Sequence, residues 1–290
     1  MTSPRTLIRE AASRLRLAGV PDPENDAALL LSFLCSRPAL ELRLDQETAL
    51  DADCLASYES LLLRRMNREP LQYLLEEVPF CGFSFAVDSR ALIPRPETEL
   101  LCLWASEFIA AKPDGRLLDL CCGSGCIGLT LKKRFPSLSL TCSDLSPSAL
   151  SLARENAERL SCEAEFICSD LFTLLPSRRY DWICSNPPYI PTSACSSLQP
   201  EVLAEPFMAL DGGSDGLDFY RRIAADAPAF LLPGGRLLME LGFGEAEMVS
   251  ELLSSQGFDD IQFRKDDRMI DRMISARCPN NLSPYSDGGK

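Results

Sequence analysis

Apolar residues recur at helical spacing through the first part of the chain, and this periodicity predicts three amphipathic helices. The first would begin at Ser3-Pro4 and end at Gly19, because serine caps helices, proline suits the first turn and glycine follows helix ends. The second and third would cover residues 22–35 and 51–68. Three arginines near the end of the third helix are expected to be solvated, beside the negative end of its dipole: Arg64, Arg65 and Arg68.

A different pattern begins near residue 80. Residues 80–87 look like part of a hairpin, and from residue 116 short apolar and β-branched runs alternate with helical patterns, as in a doubly wound α/β sheet. These runs predict strands at residues 116–120, 138–143, 164–169, 180–185, 237–241, 261–263 and 269–278. The chain would comprise a helical domain (1–75), a β-hairpin linker (76–95), an α/β domain (96–279) and a disordered tail (280–290).

Composition and charge narrow the possible functions. The 290 residues include no histidine and carry a net charge of −13. Nucleophiles activated by histidine are therefore excluded, and we do not expect an extended surface that binds nucleic acid. The amino terminus lacks the apolar core of a signal peptide, and no run of residues approaches the length of a membrane span. We expect a cytoplasmic protein with no membrane partner.

The chain contains 13 cysteines, none of them in a Cys-x-x-Cys pair. Without histidine, a zinc site would need an unassisted thiolate cluster, so we expect no bound metal. Cys142, Cys168 and Cys184 fall within predicted strands and are expected in the core, where a free cysteine behaves as a small hydrophobic residue. Cys121 and Cys122 differ, because they lie between a predicted strand and a predicted helix.

The loop that holds these two cysteines contains glycines, which let the backbone approach a ligand, and it opens a helix whose amino terminus offers free N–H donors. The next strand ends in Asp144, about 20 residues on, where a carboxylate can accept hydrogen bonds from both ribose hydroxyls. The strand after that ends in Asp170-Leu171-Phe172, which could bracket an adenine. Together these features predict a nucleoside site, and the absence of a lysine after the glycines argues against a triphosphate. The alternative is a plain strand–helix turn.

Asn186-Pro187-Pro188-Tyr189 opens the loop at the carboxyl end of the predicted strand 180–185, where open α/β sheets place their ligands. Two prolines cannot continue a strand ladder, and they fix φ, so they hold the flanking asparagine and tyrosine in one geometry. A rigid loop with carbonyl acceptors and an aromatic face suits a planar amide or amino group. The alternative interpretation is an ordinary turn that ends a strand.

Together with Leu92-Ile93-Pro94-Arg95-Pro96-Glu97-Thr98-Glu99, this tetrapeptide resembles the N5-glutamine methyltransferases that modify peptide chain release factors. The likeness continues in three further stretches: Pro70-Leu71-Gln72-Tyr73, Phe80-x-Gly82-Phe83 and Glu205-Pro206-x-x-Ala209-Leu210-x-Gly212-Gly213-x-Asp215-Gly216-Leu217. The Pro-Arg-Pro-Glu-Thr-Glu part is the specific one, because Asn-Pro-Pro-Tyr is shared with methylases of amino groups on bases. Cys121 and Glu76 depart from the family pattern, which usually has glycine at both positions.

The resemblance implies a seven-stranded, Rossmann-like class I methyltransferase sheet that binds S-adenosylmethionine, with Asp119 holding the glycine loop. It also implies that the protein substrate is a release factor. We expect a monomer that makes no direct contact to nucleic acid and whose helical domain recognises this substrate. The catalytic residues would be Asn186, Pro187 and Tyr189, which with Pro188 would bind the glutamine of the Gly-Gly-Gln loop. The cofactor would contact Cys121, Cys122, Gly123, Ser124, Gly125, Asp144, Asp170, Phe172 and Asn186.

Two other functions compete with glutamine methylation. An N6-adenine methyltransferase of DNA or RNA would use the same tetrapeptide, but the net charge of −13 and the lack of a basic patch with interleaved aromatic residues disfavour it. A non-catalytic binding module would keep the fold alone, and the intact Asn186 argues against that role.

Overall fold

A computed structural model describes residues 3–279, so the expected disordered tail, 280–290, lies outside the described residues. The chain forms two compact units. The helical unit comprises Met1–Val78 and Leu198–Ala204, and the catalytic unit comprises Pro79–Ser197 and Glu205–Lys290. The segment Leu198–Ala204 follows the Asn-Pro-Pro-Tyr loop in sequence, and the periodicity of the chain gave no sign that it belongs with the amino-terminal helices.

The first stretch of the helical unit contains the three predicted helices and two short ones: α1 (Pro4–Leu17), α2 (Pro23–Cys35), α3 (Ala39–Leu44), α4 (Ala52–Met66) and α5 (Leu71–Leu75). The Ser3 hydroxyl caps α1 by accepting from the Thr6 backbone N–H, and the Asp51 carboxylate caps α4 by accepting from the Cys54 N–H at 2.7 Å. The two additional helices have six and five residues, too few to show a period.

The expectation that the arginines at the end of α4 are solvated is wrong for Arg65. Its residue exposure is 4%, and its guanidinium donates to Asp26 and Glu201, both at 2.8 Å. Arg68 also donates to Glu201, at 2.6 Å, whereas Arg64 is exposed and pairs with Glu69. The physical reason is helical geometry, since position 65 lies three and four residues after core positions and therefore on the buried face.

A two-stranded hairpin, β1 (Glu77–Phe80) and β2 (Phe83–Ala86), lies where the chain passes from the helical unit to the catalytic unit. The elements that follow are α6 (Pro96–Ile109), β3 (Arg116–Leu120), α7 (Cys126–Arg134), β4 (Ser139–Asp144), α8 (Pro147–Leu160), β5 (Glu165–Cys168), β6 (Tyr180–Ser185), α9 (Thr192–Cys195), α10 (Pro200–Leu203), α11 (Asp218–Phe230), β7 (Leu231–Glu240), α12 (Ala246–Ser255), β8 (Asp259–Lys265) and β9 (Asp271–Arg277). A short 3₁₀ helix, Phe207–Ala209, lies between α10 and α11.

The predicted seven-stranded α/β sheet is confirmed, with strand order β5-β4-β3-β6-β7-β9-β8. The first five strands in this order, β5-β4-β3-β6-β7, are parallel to their neighbours, and β9 runs antiparallel to both β7 and β8. The chain winds outward in one direction from β3 to β5 and in the other from β6, so the switch point lies between β3 and β6. Register pairs Leu120 with Ser143 on one side and with Ser185 on the other. The loops that follow β3, β4 and β6 therefore begin side by side.

Two of the three strand cysteines lie in the core as expected: Cys142 and Cys184 have no exposed area. The expectation is wrong for Cys168, which is exposed. Cys168 ends β5, which is an edge strand with exposed or half-buried positions throughout, and its thiol donates to the Leu145 carbonyl at 3.5 Å. Alternation within a strand cannot show whether that strand is covered on both faces, and this explains the error.

Candidate active site

A cavity of about 650 Å³ opens at the carboxyl ends of the parallel strands. Its wall includes residues that follow β3, β4, β5 and β6, and it is completed by residues 90–98 and 206–222. Every described residue that lines it belongs to the catalytic unit. The cavity therefore lies at the switch point of the sheet, where the motif positions predicted a ligand site.

The loop after β3 is held from below by Asp119, which has no exposed area. One carboxylate oxygen of Asp119 accepts from the Gly128 N–H in the first turns of α7 at 2.8 Å, while the other has no hydrogen-bond partner among the described residues. Burial raises the pKa of Asp119 to about 7, and the Gly128 hydrogen bond opposes that shift. Asp119 thus ties β3 to the helix on the far side of the loop, the role that the resemblance implied.

Gly123 presents bare backbone to the cavity. Its φ is +53°, and among the described residues a Cβ built there would meet only the Ala91 side chain, at 3.9 Å. The Gly123 N–H donates to one oxygen of Asp144 at 2.8 Å, and the Ser146 N–H donates to the other at 2.8 Å. These bonds fix the Asp144 side chain on the cavity wall. Burial raises the pKa of Asp144, and the same backbone hydrogen bonds oppose that shift. Open backbone beside a fixed carboxylate fits a ribose.

The two departures from the family pattern share one conformation. Cys121 has φ +58° and Glu76 has φ +59°, both in the left-handed region where glycine is favoured. A side chain at such a position costs on the order of 1–2 kcal/mol. Cys121 nevertheless lies on the cavity wall, and burial raises the pKa of its thiol, so the group is a neutral, apolar contact rather than a nucleophile.

The loop after β5 differs from the sequence prediction. Phe172 was expected to pack against the adenine, but it is buried in the core, where its ring stacks on Phe230 with centroids 4.8 Å apart. It does not line the cavity, whereas Asp170 and Leu171 do. Leu171 has φ +48°, in the left-handed region. Asp170 pairs with Arg222 at 2.7 Å, on the same stretch of the wall.

Gly125 was also expected to contact the cofactor, but it does not line the cavity. It is the residue that immediately precedes α7. Its φ is +78°, and a Cβ there would come within 2.9 Å of Leu129. The remaining loop positions line the cavity as expected: Cys121, Cys122, Gly123 and Ser124. Gly125 therefore allows the turn into the helix and does not itself face a ligand.

Asn186-Pro187-Pro188-Tyr189 leaves β6 at the opposite wall. Asn186 and Pro188 line the cavity, whereas the predicted site residues Pro187 and Tyr189 do not. Both prolines are buried, and Tyr189 packs against the core of the catalytic unit. The Asn186 side-chain amide donates to the Thr98 hydroxyl at 3.2 Å, and the Tyr189 hydroxyl donates to a carboxylate oxygen of Glu240 at 3.2 Å. Both ends of the tetrapeptide are thus anchored by side chains.

The segment after this loop is held by a glycine-rich turn. The Ile190 N–H donates to the Leu210 carbonyl at 3.0 Å, and the Gly212 N–H donates back to the Ile190 carbonyl at 2.8 Å. A Cβ at Gly212 would lie only 2.7 Å from the Cα of Tyr189. The glycine-rich stretch near 212 therefore supports the backbone of the tetrapeptide, because only glycine leaves room for it.

Residues 92–99 and the stretch that begins at Glu205 meet in an ion pair. The Glu205 side chain is 1% exposed and pairs with Arg95, while its second oxygen accepts from the Ile93 N–H at 2.8 Å. Both stretches carry the family pattern, but the sequence predicts neither their ion pair nor a role for Thr98 or Glu240. A lone glutamate in the apolar run 237–241 was the signal that could have drawn attention to Glu240.

Two protein-family models match this chain. The Methyltransferase small domain model matches residues 103–213, and the PrmC N-terminal domain model matches residues 6–75. The release factor glutamine methyltransferase of Geobacter sulfurreducens is 42% identical over 261 residues, covering 89% of this chain and 91% of the relative. That of Deinococcus radiodurans is 42% identical over 275 residues, covering 94% and 98%. The chain belongs to the release factor glutamine methyltransferase family.

The fold of this family member also occurs in more distant solved structures. A methyltransferase from Pyrococcus furiosus superimposes with a TM-score of 0.52 at 16% identity, covering 68% of this chain and 90% of that one. Such a likeness shows the fold alone. Within residues 3–279, no helix combines the length and apolar character needed to cross a bilayer.

As a member of the release factor glutamine methyltransferase family, the chain is an S-adenosylmethionine-dependent enzyme. The cavity fits this cofactor on its own evidence. Asp144 offers fixed acceptors for ribose hydroxyls, Gly123 leaves the backbone open, and Leu171 supplies an apolar surface for a base. When bound, the cofactor supplies a methyl group activated by the adjoining sulfonium.

Proposed function

We propose that this chain methylates the side-chain amide nitrogen (N5) of the glutamine in the Gly-Gly-Gln loop of peptide chain release factors. The observation that carries the proposal is the position of Asn186 on the cavity wall with its amide nitrogen bonded to Thr98. The side-chain oxygen is thereby left to accept a hydrogen bond from a substrate. An acceptor at this point suits an N–H group and not a carboxylate.

An amide nitrogen is a poor nucleophile because its lone pair is delocalised into the carbonyl, so the enzyme acts chiefly by alignment. We assign the Asn186 side-chain oxygen and the Pro187 backbone carbonyl to the two amide hydrogens of the substrate. Alignment of this kind supplies about 7–11 kcal/mol, and one well-placed polar contact about 2.7–4 kcal/mol. We assign Tyr189 to holding the tetrapeptide in place, because its ring packs against the core and does not line the cavity. Pro188 closes the cavity wall beside Asn186.

The helical unit is assigned to docking the body of the release factor. A glutamine in an exposed loop offers too little surface for selection, so recognition needs a wider contact. None of the described residues of the helical unit lines the cavity, which leaves the unit without a part in the chemistry. The enzyme acts as a monomer in the cytoplasm, without direct contact to nucleic acid.

The test is methyl transfer from a labelled donor to three acceptors: a release factor, the same factor with its loop glutamine replaced by alanine, and double-stranded DNA or RNA. We expect label in the intact factor alone, with mass spectrometry placing one methyl on the loop glutamine. Asn186→Ala should lower kcat far more than it weakens the cofactor, because its acceptor acts on the amide. Label in nucleic acid, or in the alanine-substituted factor, would overturn the proposal.

A further inference from the structure

A buried acid lies behind the Asn-Pro-Pro-Tyr loop. Glu240 ends β7, and the parallel register that pairs Ser185 with Met239 brings Glu240 beside Asn186. Glu240 is 2% exposed. One of its carboxylate oxygens accepts from the Thr98 hydroxyl at 2.6 Å and the other from the Tyr189 hydroxyl at 3.2 Å. The two oxygens thus have separate donors.

Thr98 connects this acid to the cavity. Its hydroxyl oxygen accepts from the Asn186 side-chain nitrogen at 3.2 Å, and Thr98 itself is 2% exposed. A hydroxyl has a single proton to give, and here Glu240 receives it. Towards Asn186, the hydroxyl can therefore act only as an acceptor. Asn186 must present its NH₂ group to Thr98.

The consequence is a fixed polarity at the cavity wall. The two ends of an asparagine side chain have nearly the same shape, so only hydrogen bonding decides which end points where. With the NH₂ group committed to Thr98, the oxygen of Asn186 is the end left for a ligand. A reversed amide would offer an N–H donor instead, and it would attract a carboxylate or a carbonyl rather than an amide NH₂ group.

We propose that Glu240 and Thr98 are positioning residues that orient the Asn186 side-chain oxygen towards the reacting nitrogen, and that they thereby select an N–H-bearing substrate over a carboxylate. The inference rests on the proposed function for the identity of that substrate. Glu240 acts on both ends of the tetrapeptide, since it also holds the hydroxyl of Tyr189. Neither Glu240 nor Thr98 needs to touch the substrate.

The orientation depends on the charge of Glu240. Burial raises the pKa of Glu240 to about 7, opposed by the hydrogen bonds from Thr98 and Tyr189. A protonated Glu240 can donate to Thr98, which frees the Thr98 proton for Asn186 and permits the reversed amide. The other titratable or charged groups around Glu240 are Glu97, which raises its pKa, Arg272, which lowers it, and the side chains of Cys126 and Tyr220. We therefore expect kcat to fall as pH drops below about 7.

Thr98 offers a matched pair of variants. Thr98→Ser keeps the hydroxyl, and Thr98→Val keeps the shape without it. In steady-state methylation of a release factor, Thr98→Ser should retain kcat within about twofold, whereas Thr98→Val should lower it about tenfold or more. Cofactor affinity, measured by calorimetry, should stay within about twofold in both, because neither variant touches the nucleoside contacts.

Glu240→Gln supplies the second readout. It should lower kcat about tenfold or more and should also flatten the acid limb of the pH profile, which a loss of packing alone would not do. If Glu240→Gln does not fold, as judged by its thermal unfolding, the Thr98 pair decides. The inference is overturned if Thr98→Val is as active as Thr98→Ser, or if a folded Glu240→Gln enzyme keeps the wild-type kcat and pH profile.

Failure of the proposed function would look different. In that case the wild-type enzyme would leave the release factor unlabelled and label nucleic acid instead. The Thr98 pair would then be measured on that substrate, where an amino group also needs an acceptor from Asn186. Equal activity of the valine and serine variants would overturn the inference there too, and a loss in the valine variant alone would support it.

Discussion

Gly212→Ala should slow methyl transfer without removing any group that touches substrate or cofactor. The added Cβ would lie 2.7 Å from the Cα of Tyr189 and 2.8 Å from both the Tyr189 carbonyl carbon and the Gly216 oxygen. All three are backbone atoms, so no side-chain rotation can relieve the contact. Ordinary contact begins at 3.4 Å, so the Tyr189 backbone must move by roughly 0.7 Å or the turn must open.

The size of the effect follows from this displacement. A misplacement of about 1 Å in a catalytic group can cost about a hundredfold in rate, so a movement of roughly 0.7 Å should lower kcat by about ten- to thirtyfold. The assay is steady-state methylation of a release factor, with cofactor affinity measured separately by calorimetry. We expect kcat to fall while cofactor affinity changes by less than about threefold, because Gly212 does not line the cavity.

Gly257→Ala is the matched control. Gly257 has φ +85°, and a Cβ there would meet no described atom within 4 Å. The control variant therefore bears left-handed strain of on the order of 1–2 kcal/mol without displacing Tyr189. It should lower the thermal midpoint and leave kcat unchanged. A Gly212→Ala enzyme with wild-type kcat, or a control that loses as much activity, would refute the steric argument.

Three further substitutions test the cofactor site, a buried acid and the helical unit. Asp144→Ala should weaken S-adenosylmethionine by about 1.5–3 kcal/mol in calorimetry, and unchanged affinity would contradict the ribose assignment. Burial raises the pKa of Asp119 from 3.8 to about 7, so its contribution to the free energy of unfolding is full below about pH 4 and is lost as pH rises through 7. In urea titrations, the free energy of unfolding should therefore fall between pH 5 and pH 8 by about 2–3 kcal/mol less in Asp119→Asn than in the wild type. An equal fall in both proteins would show that the acid is not held neutral. Arg65→Met should cost about 3–5 kcal/mol in the same titrations because it leaves the buried carboxylate of Asp26 unpaired. Arg16→Met, at an exposed pair with Glu24, should cost less than about 1 kcal/mol.

Periodicity predicted the sheet, and most of the site residues that the motifs predicted line the cavity. Asp144 and Asn186 follow strands whose carboxyl ends lie on either side of β3, and parallel strands in a doubly wound sheet bring such positions together whatever the residues between them. The position of each motif along the chain was therefore enough to place it.

The errors lie where one residue's environment depends on distant partners. Phe172 was misplaced because its ring stacks on Phe230, which lies far along the chain, and strand alternation gives no sign of that contact. Cys168 was misplaced because its strand lies at the edge. Arg65 and Glu240 are buried charges whose side-chain partners are 39 or more residues away. Hydrophobic pattern alone assigns charges to the surface, and only tertiary hydrogen bonds reverse that assignment.

The membership of Leu198–Ala204 in the helical unit limits how this enzyme can be recombined. The backbone passes between the units three times, at 78–79, 197–198 and 204–205, so the helices are not an amino-terminal cassette. Exchanging residues 1–78 with those of a relative would leave the native Glu201 to meet foreign partners in place of Arg65 and Arg68. A chimaera that exchanges the helical unit between relatives must therefore carry residues 198–204 together with the helices.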